Sequence, residues 1–273
     1  MGRQTDWEEY ENFLRDEELA EGTIRIYLRQ AKLLNEELKG GVLTKEWLLA
    51  YRNRMKREKI SDATLNLRII ALNRYLKYIS REDCLLKTQK VQKRRNLENV
   101  LSREEYQTML RCARGTGRIK YYYIMKTMAS TGIRVSELMY FTVESIGENH
   151  IYVRNKGKSR DIYLPGRIQK ELAGYCRLAG IREGIIFRGK GAGGITREAV
   201  YQMMQRMAVE AGIPRQKVHP HSFRHLFART YMDYYGNIAE LADILGHSSL
   251  ETTRIYTACS VEEKRKRMEE LGF

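Results

Sequence analysis

HIYVRNKGKSRDIYL, residues 150–164, is where the periodicity of this chain changes. Ile151-Tyr152-Val153 and Ile162-Tyr163-Leu164 are short β-prone runs on either side of the polar, glycine-containing NKGKSR. Two such runs around a turn predict a β-hairpin. The pattern on both sides is helical. Upstream, Ile24, Tyr27, Ala31, Leu34 and Leu38 recur at helical spacing until Gly40-Gly41 stops them. Thr44 to Lys59 predicts a second helix, and Ser61 caps a third whose apolar stripe is Leu65, Ile69, Leu72, Leu76 and Ile79. Ser102 and Glu105 stand at capping-box spacing, and helical patterns run on through Tyr140. Downstream, Val200, Met203, Met207 and Ala211 share one helical face. The expected fold is therefore mostly α with a small antiparallel β-sheet in the C-terminal domain.

Residues 87–99, KTQKVQKRRNLEN, lack a sustained apolar face and carry five basic residues against Glu98 alone. They divide the chain into a helical domain over 1–86, a basic linker over 87–99 and a larger domain over 100–273. Lysines and arginines outnumber acids 49 to 34, a formal charge of +15. That excess points to a polyanion. Arg52, Arg54, Lys56 and Arg57 on the second helix, and Lys93, Arg94 and Arg95 in the linker, are candidate phosphate contacts. The helix reads equally as a solvated face. No apolar run approaches the ~18 residues that cross a bilayer, and the N-terminus MGRQTDWEEYENF has no apolar segment of a signal peptide. Cys84, Cys112, Cys176 and Cys259 are too dispersed for a zinc ribbon or a redox dithiol. A cytoplasmic, nucleoid-associated protein without a membrane partner is expected.

Four clusters carry groups suited to chemistry. TGIRVSEL, 131–138, places Arg134 and Glu137 three residues apart on one helical face. Lys156 falls in the hairpin turn, and Lys158 and Arg160 beyond it join the candidate DNA contacts. HPHSFRH, 219–225, opens a helix at Pro220 and sets His221 on one side with Arg224 and His225. The His pair at i, i+4 has no accompanying acid or cysteine that would complete a metal site. LGHSS, 245–249, combines a helix stop at Gly246 with His247, and Tyr256 follows nine residues on.

In this order and spacing the clusters resemble the tyrosine recombinase (phage integrase) family, of the two-domain Xer-like type. The family pattern is Arg in a TGxRxxEL segment, Lys in a β-hairpin, H-x-x-R-H, then G-H and a Tyr nine residues later. Here these are Arg134, Lys156, His221 with Arg224, His247 and Tyr256. TLNLRIIALNRYLKYI, 64–79, is similar to the last main helix of the family's core-binding domain. Phe223 stands where Leu is common, and Asn155 where Gly is common, so Lys156 and Lys158 both remain candidates for the family's lysine.

The resemblance implies a SAM-like core-binding domain followed by an integrase-type catalytic domain. It implies site-specific cleavage and rejoining of double-stranded DNA through a 3′-phosphotyrosyl link to Tyr256 and a Holliday junction. Neither a metal nor a cofactor is required. Arg134 and Arg224 would clamp the non-bridging oxygens, and His247 would donate to the phosphate. His221 would accept the tyrosine proton or bond a phosphate oxygen. Lys156 would protonate the leaving 5′-oxygen, and Glu137 would orient the cluster. A tetramer on paired sites follows, built from identical subunits or with a paralogue. In this family the last helix, here 261–273 with Val261, Met268 and Leu271, commonly docks on a neighbour. The rival readings are a type IB topoisomerase and a catalytically silent DNA-binding protein.

Overall fold

The computed structural model describes residues 6–58, 60–89, 100–148, 150–155, 158–189, 191, 193–247, 249–253, 265 and 268–270. The chain forms two compact units, residues 1–94 and 95–273. The first holds four helices: α1 (Trp7–Asp16), α2 (Glu21–Leu38), α3 (Lys45–Arg57) and α4 (Asp62–Tyr78). Each start has a local cause. The Asp6 carboxylate accepts from the Glu8 and Glu9 amides, the Thr44 hydroxyl from Trp47, and the Ser61 hydroxyl from Thr64. α2 ends where Lys39 and Gly40 take positive φ. Leu65, Ile69, Leu72 and Leu76 are buried against Ile24, Ala31 and Leu34 of α2, as the stripes predict.

Beyond α4 the chain runs back along it. Asn73 donates to the Leu86 carbonyl and accepts from the Leu86 amide, both at 2.8 Å. Asn66, two turns earlier, makes the same pair with Gln89 at 2.8 Å. Each carboxamide satisfies one residue's backbone donor and acceptor, as a neighbouring strand would. Lys87–Gln89, read from the sequence as linker, therefore lie along this helix; residues 90–99 are outside the description.

The second unit contains α5 (Arg103–Gly115), α6 (Ile119–Thr131), β1 (His150–Asn155), β2 (Lys158–Tyr163), α7 (Gly166–Leu178), α8 (Arg197–Glu210), α9 (Pro220–Tyr235), α10 (Ile238–Leu245) and the single turn α11 (Leu250–Thr253). The sequence-predicted capping box at Ser102 and Glu105 opens α5 with both halves formed. β1 and β2 pair antiparallel, from His150 opposite Tyr163 to Asn155 opposite Lys158. Ile151, Val153 and Ile162 face the core, while Tyr152 and Tyr163 face solvent. Val200, Met203 and Met207 are core. Burying such side chains stabilises by about 1.5–3 kcal/mol each. The fold is mostly helical with one small antiparallel sheet.

One local expectation is corrected. Residues 135–140 form a 3₁₀ helix, and Arg134 precedes it in extended conformation rather than sharing a helical face with Glu137. The cause lies just upstream. Gly132 ends α6 at φ +62, and a Cβ there would lie 2.5 Å from Phe227 and 2.9 Å from Leu245. The chain is turned at a point where only glycine fits, and Arg134 leaves it aimed toward α10.

Among the described residues no helix is long and apolar enough to cross a membrane.

Candidate active site

The end of α10 organises the site. A helix leaves its last carbonyls without intrahelical donors and carries partial negative charge there. Three arginines from different segments use these carbonyls. Arg160 of β2 donates to the Ile244 carbonyl at 2.5 Å, Arg224 of α9 to Leu245 at 2.6 Å, and Arg134 to Gly246 at 3.1 Å. Arg224 also donates to the Gly132 carbonyl at 2.6 Å. It is 2% exposed despite its charge. Such burial is tolerated because both ends of the fork meet oxygen acceptors.

Glu137 is the counter-ion. Its carboxylate, 1% exposed, accepts from the Arg134 amide at 2.7 Å and the Arg134 guanidinium at 3.2 Å. Arg160 forks onto it at 2.6 and 3.4 Å. Burial would raise this carboxyl, but the Arg160 hydrogen bond and charge, with Arg134, hold it below the usual carboxylate range. Among the described residues, Arg134, Arg160 and Arg224 set three guanidiniums beside this one carboxylate, a positive cluster.

Among the described residues His247, just past α10, meets Arg224 and Thr253. Nε2 lies 3.0 Å from Arg224 Nη2, and Nδ1 lies 2.8 Å from the hydroxyl of Thr253, which is fully buried. Arginine only donates, so Nε2 accepts and Nδ1 carries the proton. Burial, then the charges of Arg224, Arg134 and Arg160, pull His247 down to about 4, keeping it neutral at pH 7. As arranged, His247 is an acceptor toward Arg224; donating to a phosphate requires that it gain a proton on Nε2. His221 is accessible from the cleft at the start of α9. Partial loss of water and the Arg224 charge lower it as well. His225, one turn on, is pulled to about 4 by burial and by His221.

Arg134, Glu137, Arg160, His221 and His247 line one open cleft of about 2230 Å³. Small-molecule sites occupy about 300–1,000 Å³. Arg224 lies behind them, bonded to His247 and the α6 and α10 ends. Lys156 and Tyr256 lie outside the described residues; Lys158 stands at the start of β2, its side chain outside the description. Among the described residues no cluster of three His, Cys, Asp or Glu is placed to hold a metal ion.

Of the basic residues read as phosphate contacts, Lys56 and Arg57 are exposed on α3. Arg54 pairs with Glu37 at 3.0 Å and lies over the Trp47 and Tyr51 rings, and Arg52 is half-buried. Lys93, Arg94 and Arg95 lie outside the described residues. Arg160, grouped with them from sequence, has a side chain only 10% exposed and bonded to Glu137 and Ile244. Sequence reasoning missed Thr253, because a lone threonine between His247 and Tyr256 has no periodic signature.

Gly246 makes this packing testable. At φ +62, its added Cβ would lie 2.4 Å from Arg160 Cδ. Gly236 ends α9 at φ +66 with nothing within 4 Å. Gly236→Ala is expected to lose about 1–2 kcal/mol for left-handed backbone alone. Gly246→Ala should lose more and also slow any reaction at the cleft, measured by denaturant unfolding beside an activity assay. Equal losses in the two variants would mean that Arg160 is not fixed here.

A model of the phage integrase family matches residues 99–263. The tyrosine recombinase XerA of Thermococcus kodakarensis is 28% identical over 269 residues, covering 96% of this chain and 93% of that protein. Among solved structures, a lambda integrase tetramer bound to a Holliday junction superposes with a TM-score of 0.73 at 20% identity, covering 92% of this chain and 76% of that one. XerH bound to a palindromic difH substrate, in a post-cleavage complex, gives 0.71 at 21% identity, covering 91% and 78%. With more than half of its length matched by the family's own model, the chain belongs to the phage integrase family, that of the tyrosine recombinases.

Proposed function

We propose that this chain is a site-specific DNA recombinase that cuts and rejoins strands through Tyr256. The observation that carries the reading is the guanidinium cluster. Arg134 and Arg224 are pre-fixed by carbonyls, one at the wall of an open cleft and one behind it beside His247. Charge builds on the non-bridging oxygens as a phosphodiester is attacked, and pre-oriented donors stabilise it without reorganising.

The Tyr256 phenolic oxygen forms a bond to phosphorus and the P–O5′ bond breaks. The phenolic proton passes to a base, for which His221 is kept neutral and accessible. The departing 5′-oxygen takes a proton from Lys156 or Lys158. A 5′-hydroxyl attacking the 3′-phosphotyrosyl bond reverses these steps, so the link conserves the phosphodiester and rejoining needs no ATP. Paired exchanges of this kind pass through a Holliday junction on a tetramer. XerH in a post-cleavage complex and lambda integrase as a tetramer on a junction support that reading. The unit over 1–94, with its exposed Lys56 and Arg57, would serve as the core-binding half, joined through a basic linker. Whether the tetramer includes a paralogue is set by its partner surfaces. Metal plays no part in the proposed step.

The test is a nicked suicide substrate carrying the chain's selected site, incubated in excess chelator. A protein–DNA adduct that survives denaturation is expected, with a free 5′-hydroxyl. A supercoiled plasmid lacking that site should stay supercoiled. Relaxation of such a plasmid by single subunits would favour a topoisomerase, binding without an adduct would favour a silent DNA-binding protein, and an adduct that needs added magnesium or zinc would overturn the metal-free step.

A further inference from the structure

We infer that Arg160 is a positioning residue for strand cleavage, holding Glu137 and the end of α10 in place rather than contacting DNA. The inference rests on the recombinase reading above and deepens it. Arg160 touches three segments at once: it belongs to β2, its Nε and Nη2 meet the two Glu137 oxygens, and its Nη1 meets the Ile244 carbonyl. All three nitrogens thus have protein acceptors, and the side chain is almost wholly covered.

The charge balance says what this does. Glu137 alone beside Arg134 would form a buried one-to-one pair, cancelling the charge that Arg134 presents to the cleft. Arg160 supplies the second cation. The carboxylate is shared, and Arg134, with a side chain 36% exposed, keeps positive charge toward the cleft. Geometry says the same. Arg134 Nη2 and Arg160 Nη1 bond carbonyls two residues apart, so the Arg160 fork sets the spacing between the 3₁₀ segment and the α10 end that leads into His247. The close approach of Gly246 to Arg160 Cδ leaves room for no bulkier residue there.

Arg160→Met and Arg160→Lys, each with and without Glu137→Gln, form a double-mutant cycle read by single-turnover cleavage of the suicide substrate and by DNA affinity across salt concentrations. Arg160→Met is expected to bind DNA with unchanged affinity and salt slope while cleaving about 10- to 100-fold more slowly, the scale of a small misplacement at a reacting centre. Arg160→Lys, which keeps the charge but not the fork, should fall between. Adding Arg160→Met to Glu137→Gln should cost little more than Glu137→Gln alone, because the two act as a unit. A salt slope lower by about one, with weakened binding, would make Arg160 a phosphate contact and overturn the inference. Wild-type cleavage by Arg160→Met, or an undiminished loss in the Glu137→Gln background, would overturn it as well. If Arg160→Met fails to unfold cooperatively, Arg160→Lys in the two backgrounds reads the same coupling. If the unsubstituted chain forms no adduct while binding its site, it is the recombinase reading that fails.

Discussion

Tyr256→Phe binds its DNA site with parental affinity and forms no covalent adduct: that is the expected result with the largest effect. The change removes one oxygen and keeps the ring, so contacts made by the aromatic face persist. Loss of a sole nucleophile costs an enzyme on the order of 10⁶-fold. The experiment is informative because the cleft offers rivals. Tyr163, Tyr201, Tyr231 and Tyr235 line it. Tyr231 is a weak candidate, since burial and then the neighbouring Glu240 push it up to about 12. A persistent adduct mapped by mass spectrometry to Tyr201 or Tyr235 would displace Tyr256 from the role.

Lys156→Ala is expected to slow cleavage by about 10²–10⁴-fold, the usual worth of general-acid catalysis. A DNA alkoxide is a poor leaving group, so the 5′-oxygen needs a proton as it departs. Replacing that bridging oxygen with sulfur removes the need, because a thiolate leaves readily. Lys156→Ala should therefore be largely rescued on the sulfur-substituted strand. Arg134→Ala should not be, since its task lies on the non-bridging oxygens. The strand register puts Asn155 opposite Lys158, with two residues between, and leaves both lysines in play. Rescue of Lys158→Ala with normal cleavage by Lys156→Ala would move the role by two residues. Rescue of neither would place the proton donor elsewhere.

Much of the architecture was legible because it is written in short-range chemistry. The Ser61, Thr44 and Ser102 caps, the Leu65–Leu76 stripe and the hairpin around NKGKSR each depend on neighbours a few residues away. Of the residues read from sequence as the site, Lys156 and Tyr256 lie outside the described residues, while Arg134, Glu137, His221, Arg224 and His247 converge. Their wiring was not legible. Arg160 and Arg224 reach carbonyls 84 and 21 residues away, and a carbonyl has no sequence signature. For the same reason Arg160 looked like one more surface cation, and the i, i+3 spacing of Arg134 and Glu137 looked like a helical face when a 3₁₀ turn had been built instead. The Asn66 and Asn73 clasps were hidden because asparagine in a helix usually signals only a weak helix former.

Four of the acceptors that fix the three arginines among the described residues are main-chain carbonyls, and this bears on which inherited changes the site survives. No replacement of Ile244 or Leu245 deletes a peptide oxygen, so their side chains are free to drift within the limits of packing: Leu245 is buried, Ile244 only partly. The glycines have no such latitude, because Gly132 and Gly246 need both the left-handed backbone and the missing Cβ. Divergent lineages should therefore differ freely in the letters at the end of α10 while keeping Gly246 just past it and Gly132 at the end of α6, and a random-mutagenesis library selected for recombination should recover many residues at 244 and almost none at 132 and 246.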